Sequence, residues 1–110
     1  MAYIPERGDI VWLMFDPQAG HEQAGRRPAL VISPKAYNSK TGLSLFCPIT
    51  SQIKRYAFEV GIPPGLSVSG VVLADQIKSL DWRARKAEYI CTLASETTED
   101  VIAKIIALLE

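Results

Sequence analysis

Apolar residues in this chain gather in short runs separated by glycine, proline and acidic residues. Ile10 to Phe15 (IVWLMF) is bounded by Gly8-Asp9 and Asp16-Pro17 and predicts a buried strand. Pro28–Ile32 (PALVI) and Leu43–Ile49 (LSLFCPI) predict two more. Pro48 removes a ladder donor, which places the end of the third run at an edge or bulge. Tyr56–Ile62 alternates loosely up to the turn Pro63-Pro64-Gly65. Gly70–Ile77 (GVVLADQI) and Ala87–Leu93 (AEYICTL) complete six candidate strands.

Two helices interrupt this pattern. Ser33-Pro34 has the form of an N-cap followed by proline at the first helical position, and Gly42 is placed to end that helix. Near the C-terminus Val101, Ile102, Ile105, Ile106 and Leu109 recur on one helical face. Ser95 or Thr97 is the expected cap, and Glu96, Glu99 and Asp100 suit the positive end of the helix dipole. Many short strands with few helices predict a mainly β fold, an antiparallel, strongly bent sheet or small barrel carrying a C-terminal helix.

Composition narrows the class. The 110 residues are 48% hydrophobic and 22% charged, which fits one globular domain and excludes disorder. No apolar run approaches the ~20 residues of a membrane helix. Residues 1–9 hold Glu6, Arg7 and Asp9 and lack the apolar stretch of a secretory signal, so a soluble, cytoplasmic protein is expected. Net charge is zero, but residues 91–110 carry Glu96, Glu99, Asp100 and Glu110 against Lys104 alone. The rest is therefore net basic, with clusters at Arg26–Arg27, Lys54–Arg55 and Arg83–Arg85–Lys86. A neutral chain argues against tight, purely electrostatic binding of duplex DNA, yet leaves room for a single strand in a local basic groove. Cys47, Cys91 and the sole histidine, His21, fall short of the four ligands of a structural zinc site, so no metal is expected and the cysteines read as free thiols.

The stretch Asp16–Arg27 (DPQAGHEQAGRR) is long for a connection between two strands. Here the chain resembles a known family. GDIVW…FDPQAGHEQAGRRPALVISP (Gly8–Pro34) is similar to the opening of the MazF/PemK toxins, the mRNA interferases of type II toxin–antitoxin pairs. The likeness continues through YNSKTGL (Tyr37–Leu43), PITSQ (Pro48–Gln52), FEV (Phe58–Val60), VLADQIKSLDWRAR (Val72–Arg85) and the C-terminal helix. It implies a single toxin domain over residues 1–110 with a compact SH3-like, PemK-type barrel, forming a homodimer. It implies cleavage of single-stranded RNA at short sequences without metal or other cofactor, and a cognate MazE-like antitoxin that blocks the site.

Metal-free RNA cleavage ordinarily uses the substrate's 2′-OH, so the protein must move protons and stabilise charge at phosphorus. Arg27 matches the family's catalytic arginine in GxRP, and a guanidinium meets phosphate charge with paired, permanently charged donors. Thr50 matches the catalytic threonine of P-x-T-[ST]-Q; its hydroxyl can donate to a phosphate oxygen or to the 2′-OH, whereas without the family it reads as a turn hydroxyl. Glu22 is the nominated carboxylate for the 2′-OH, its rival reading being an ion pair with Arg26 or Arg27. His21 beside it is a minor candidate. Arg26, Ser51, Gln52, Lys54, Arg55, Asp75, Gln76 and Lys78 complete the expected RNA-binding set. Along a strand, Asp75 and Ile77 face one way and Gln76 and Lys78 the other; the resemblance to PemK-like members implies a catalytic role for Asp75, whose rival reading is a local backbone acceptor. Gln52 and Gln76 suit base edges. Trp12, Phe15, Tyr37 and Trp82 are candidates for stacking, weighed against core or interface.

Two other readings share this sheet-rich form. A gyrase-inhibiting toxin of the CcdB type would have no need of the Arg27/Thr50 pair. A plain RNA-binding barrel would be more basic.

Overall fold

The computed structural model describes residues 2–16 and 25–110. The chain order is β1 (Asp9–Met14), β2 (Arg26–Val31), α1 (Lys35–Thr41), β3 (Leu43–Thr50), β4 (Glu59–Gly61), β5 (Val71–Leu73), a 3₁₀ turn (Ala74–Gln76), β6 (Lys78–Asp81), β7 (Glu88–Thr92) and α2 (Ser95–Leu108). The seven strands pair antiparallel in the order β4-β5-β3-β2-β1-β7, with β6 also on β3. This is the β-rich architecture expected, with the ladder open between β4 and β7.

The unbroken apolar runs have a physical reason: both faces of the central strands are covered. Ile10, Leu30, Ile32, Cys47 and Ile49 face a core closed by Val60, Val72, Leu93 and α2 Val101. Their strand neighbours Val11, Leu13, Ala29, Val31 and Phe46 face a second core closed by Phe15 and Trp82. Period-two alternation thus distributes apolar side chains between two cores.

Three expectations are corrected here. Pro48 is not at an edge, because β3 is paired to β2 on one side and to β6 and then β5 on the other. Ile32 N–H donates to the Leu45 carbonyl at 2.8 Å, and alternation then turns the Pro48 nitrogen away from β2. It faces the gap where β6 pairing stops at Phe46 and β5 pairing starts at Ile49, so the missing donor breaks no ladder bond. Gly70–Ile77 is not one strand: β5 stops at Leu73 and the chain turns through Ala74–Gln76 before β6. The two-sided alternation read across Asp75 to Lys78 therefore does not hold. Tyr56–Ile62 contributes only the short β4.

The caps also differ. The N-cap residues are Pro34 and Ala94, and neither makes a side-chain capping bond. Ser33 is buried and turns its hydroxyl inward to Asn38 Oδ1 at 2.6 Å. Ser95 and Thr97 fall inside the first turn of α2 rather than ahead of it. Gly42 ends α1 in a left-handed conformation with φ +75°, as its position predicts. On α2, Val101, Ile102 and Ile105 pack on the core, while Ile106 and Leu109 are exposed. Cys47 and Cys91 are free thiols, and burial foremost, then the charge of Asp75, pushes the Cys47 thiol up to about 12. No described helix is long and apolar enough to cross a membrane.

Candidate active site

β2 and β3 run side by side at the centre of the sheet, and their ends carry the two residues on which the candidate chemistry rests. Arg27 is the second residue of β2, paired with Leu13 of β1. The chain enters β2 over a closed base: Phe15 N–H donates to the Gly25 carbonyl and Gly25 N–H to Asp16 Oδ1, each at 2.9 Å. Gly25 has φ +76°, a conformation that favours glycine. Thr50 is the last residue of β3 and 5% exposed. Its Oγ1 accepts the Gln52 N–H at 3.1 Å, which fixes the hydroxyl in a tight local turn.

Arg27 and Thr50 open onto one cavity of about 430 Å³. Its walls divide by chemistry. Trp12, Pro28, Ile49, Val68 and Ile90 form an apolar side, and Ser51, Ser67 and Ser69 bring hydroxyls beside Thr50. Thr50 is also shared with a smaller cavity of about 50 Å³ lined by Gln52, Lys54, Tyr56, Glu59, Leu73 and Gln76. The segment between β3 and β4 is shaped by Glu59, whose carboxylate accepts the Lys54 N–H at 3.0 Å and the Arg55 N–H at 2.8 Å. Arg55 consequently sits at φ +61°, uncommon for a residue with a side chain.

Of the expected site residues, the structure brings Arg27, Thr50 and Ser51 to the large cavity, and Gln52, Lys54 and Gln76 to the small one. Asp75 is exposed on the 3₁₀ turn and accepts the Tyr56 hydroxyl at 2.9 Å. Arg26 is directed elsewhere: it donates to the Lys86 carbonyl at 3.2 Å and lies 3.5 Å from Glu88 Oε1. Arg55 and Lys78 line neither cavity. Glu22 and His21 lie outside the described residues. Among the aromatics, Phe15 and Trp82 are core, Tyr37 is exposed on α1, and Trp12 alone lines the Arg27 cavity.

Sequence reasoning missed Tyr56, Glu59, Ser67 and Ser69, which line the two cavities and carry no local signal. Partial burial first, then its bond to Asp75 and the charges of Asp75 and Glu59, push the Tyr56 phenol up to about 12. The folded state thus holds this proton more tightly than the unfolded chain, where a tyrosine titrates near 10. The stabilisation is complete below about pH 10 and is lost as the pH rises toward 12. In an alkaline titration followed at 295 nm, Tyr56→Phe is expected to remove one ionisation near 12 and to flatten the loss of stability in that window. Loss of an ionisation near 10 instead of near 12 would break the Tyr56–Asp75 assignment.

The pattern of the family described as PemK-like, MazF-like toxin of type II toxin-antitoxin system matches residues 6–109. The chain is 50% identical over 107 residues to the endoribonuclease toxin MazF of Escherichia coli K12, covering 97% of this chain and 96% of that one. It is similar in structure to crystalline MazF of Deinococcus radiodurans, with a TM-score of 0.95, 56% identity and 98% of each chain covered. A MazE-MazF structure from the same organism aligns with a TM-score of 0.87 and 49% identity, over 98% of this chain and 97% of that one.

Proposed function

The chain belongs to the PemK-like, MazF-like toxin family, and from that premise we propose that it is the endoribonuclease toxin of a type II toxin–antitoxin pair, cleaving single-stranded RNA without a metal. The observation that carries the reading is the convergence of Arg27 and Thr50, far apart in sequence, on one cavity of nucleotide scale.

In the proposed reaction the 2′-oxygen attacks the adjacent phosphorus, the bond from phosphorus to the 5′-oxygen breaks, and a 2′,3′-cyclic phosphate and a 5′-hydroxyl result. The 2′-proton passes to a base, for which Glu22 is nominated, and the leaving oxygen takes up a proton. Arg27 faces the negative charge that accumulates on the phosphate oxygens, where paired N–H donors act most strongly. The Thr50 hydroxyl, polarised by the amide it accepts, is oriented to donate to a phosphate oxygen or the 2′-OH. Trp12 and the serine hydroxyls supply apolar and polar walls for the nucleotide beside the scissile phosphate. A homodimer, a cytoplasmic location and a single domain over 1–110 belong to the same proposal. A MazE-like antitoxin, acidic and apolar, is the partner that closes the cavity mouth. The relatives are named as endoribonucleases, and nothing in the site favours the gyrase-inhibitor alternative.

The purified chain, incubated in excess EDTA with a long single-stranded RNA and with its DNA copy, is expected to cut the RNA alone at discrete sites. A substrate with one 2′-deoxy residue at a mapped cut is expected to survive at that position only. Cleavage of the deoxy position, or dependence on added metal, would overturn the mechanism.

A further inference from the structure

We infer that Gly70 is a positioning residue for the catalytic turn, holding the Thr50–Ser51 peptide at the height from which Thr50 meets the scissile phosphate. The inference rests on the reading of Thr50 given above and concerns a residue outside both cavities.

Gly70 precedes β5, and the next residue, Val71, pairs with Thr50. A methyl group at Gly70 would lie 2.2 Å from the Thr50 carbonyl oxygen, 2.9 Å from its carbonyl carbon and 3.1 Å from Ser51 Cα. All three atoms are backbone, so no side-chain rotation relieves the overlap. The peptide itself would have to move outward. That peptide carries the turn in which Thr50 Oγ1 accepts the Gln52 N–H, and Thr50 is the one residue common to both cavities. Gly70 is also anchored from behind, its carbonyl accepting the Ile62 N–H at 3.0 Å. The contact between Gly70 and Thr50 therefore has little slack on either side.

Two demands on this glycine need to be separated. Its φ of +113° is strained for any L side chain, and its Cα hydrogen fills the space a methyl would need. Gly65 makes the first demand without the second: φ is +105°, and a methyl there meets nothing within 4 Å. Gly65→Ala is thus a matched control for backbone strain.

The experiment compares the parent chain, Gly70→Ala, Gly65→Ala, Thr50→Ala and the Gly70→Ala/Thr50→Ala double variant. Single-turnover cleavage is measured at saturating protein, well below each melting temperature. Affinity is measured separately with an RNA carrying 2′-deoxyribose at the cut. Gly70→Ala is expected to slow cleavage about 10- to 100-fold, the scale of an ångström-sized misplacement of a reacting group, with affinity changed less than about 3-fold. Gly65→Ala is expected to melt earlier yet cleave at the parent's rate, and the double variant to be no slower than Thr50→Ala, since both changes disable one hydroxyl. Equal rates for folded Gly70→Ala and Gly65→Ala would overturn the inference, as would independent, multiplying losses in the double variant. If Thr50→Ala itself cleaves like the parent, the catalytic reading of Thr50 fails and Gly70 has nothing to position. Should Gly70→Ala not fold, Gly70→D-Ala, built by peptide ligation at Cys47 and Cys91, keeps the positive φ and points its methyl away from Thr50. It is expected to cleave like the parent, and a folded but slow Gly70→D-Ala would also overturn the inference.

Discussion

Arg27→Ala is expected to lower the single-turnover rate of RNA cleavage by about 10²-fold or more, the scale on which a preorganised charge stabiliser acts. The argument is one of charge and geometry. As the 2′-oxygen closes on phosphorus, the phosphate oxygens gain charge inside a cavity walled on one side by Trp12, Pro28, Ile49 and Ile90. Apolar walls exclude water and strengthen whatever charge the protein supplies there. Arg27 is placed by β2 rather than by a loop, so the charge is in position before the reaction begins. Arg27→Lys should recover only part of the rate, because an ammonium keeps the charge and loses the paired planar donors. Thr50→Ala should also cost about 10²-fold if its hydroxyl works on the same oxygens, and the double variant should cost far less than the product of the two. Arg27 is not among the buried residues, so Arg27→Ala should melt near the parent, whereas Thr50 is buried and holds the Gln52 N–H, so Thr50→Ala should melt somewhat earlier while still folding. Folded variants of both residues that cleave at the parent's rate would remove Arg27 and Thr50 from the mechanism.

How much of this was legible follows from where each signal lives. The central strands were plain because burial on both faces leaves an unbroken apolar run, and Ile10–Phe15 and Pro28–Ile32 coincide with β1 and β2 to within a residue or two. The same two-sided burial hid the topology: nothing local to LSLFCPI tells that β3 changes partner along its second edge, which is why Pro48 looked like an edge residue. LADQIKS alternates well enough to pass for a strand, but Val72 pairs with Ile49 and Lys78 with Phe46 of β3, and the turn at Ala74–Gln76 takes up the extra chain between them. Arg27 and Thr50 were found through motif likeness, not through periodicity, which reads them as a strand start and a turn. Tyr56, Ser67 and Ser69 had no comparable signal, since they join the site only because the chain between β3 and β5 folds back over Thr50. Arg26 shows the converse: the basic pair Arg26–Arg27 suggests one patch, yet Arg26 is drawn to Lys86 and Glu88 while Arg27 lines the cavity with Thr50.

The largest loss of stability is expected at a residue with no part in the chemistry. Asn38 on α1 is wholly buried, and every polar atom of its side chain is committed. Its amide nitrogen donates to the carbonyls of Pro5 at 2.8 Å and Ser33 at 3.0 Å, while Oδ1 accepts the Ser33 hydroxyl. That hydroxyl oxygen in turn accepts the Leu45 N–H at 2.8 Å and lies 3.1 Å from the Ser44 hydroxyl. The Asn38 backbone carbonyl accepts the Trp82 indole N–H at 2.9 Å. One side chain thus joins the N-terminal segment, the entry to α1 and the start of β3, the strand that ends at Thr50. In Asn38→Ala two buried carbonyls lose their donor, the Ser33 hydroxyl loses its acceptor, and a void remains. At about 1–3 kcal/mol for each orphaned group, the expected cost is roughly 3–5 kcal/mol. With about 4–8 °C per kcal/mol for a chain near this size, the melting temperature should fall by roughly 15 °C or more. Asn38→Asp should be no better, because a carboxylate cannot donate to either carbonyl. Ser39→Ala, one residue on and exposed, removes only a hydroxyl donating to the Ala36 carbonyl and should stay within about 0.5 kcal/mol. Below its own transition Asn38→Ala should still cleave RNA near the parent's rate, the reverse of Arg27→Ala. A melting temperature within a few degrees of the parent would mean that water or rearranged backbone satisfies these groups, and that Asn38 does not hold the fold together.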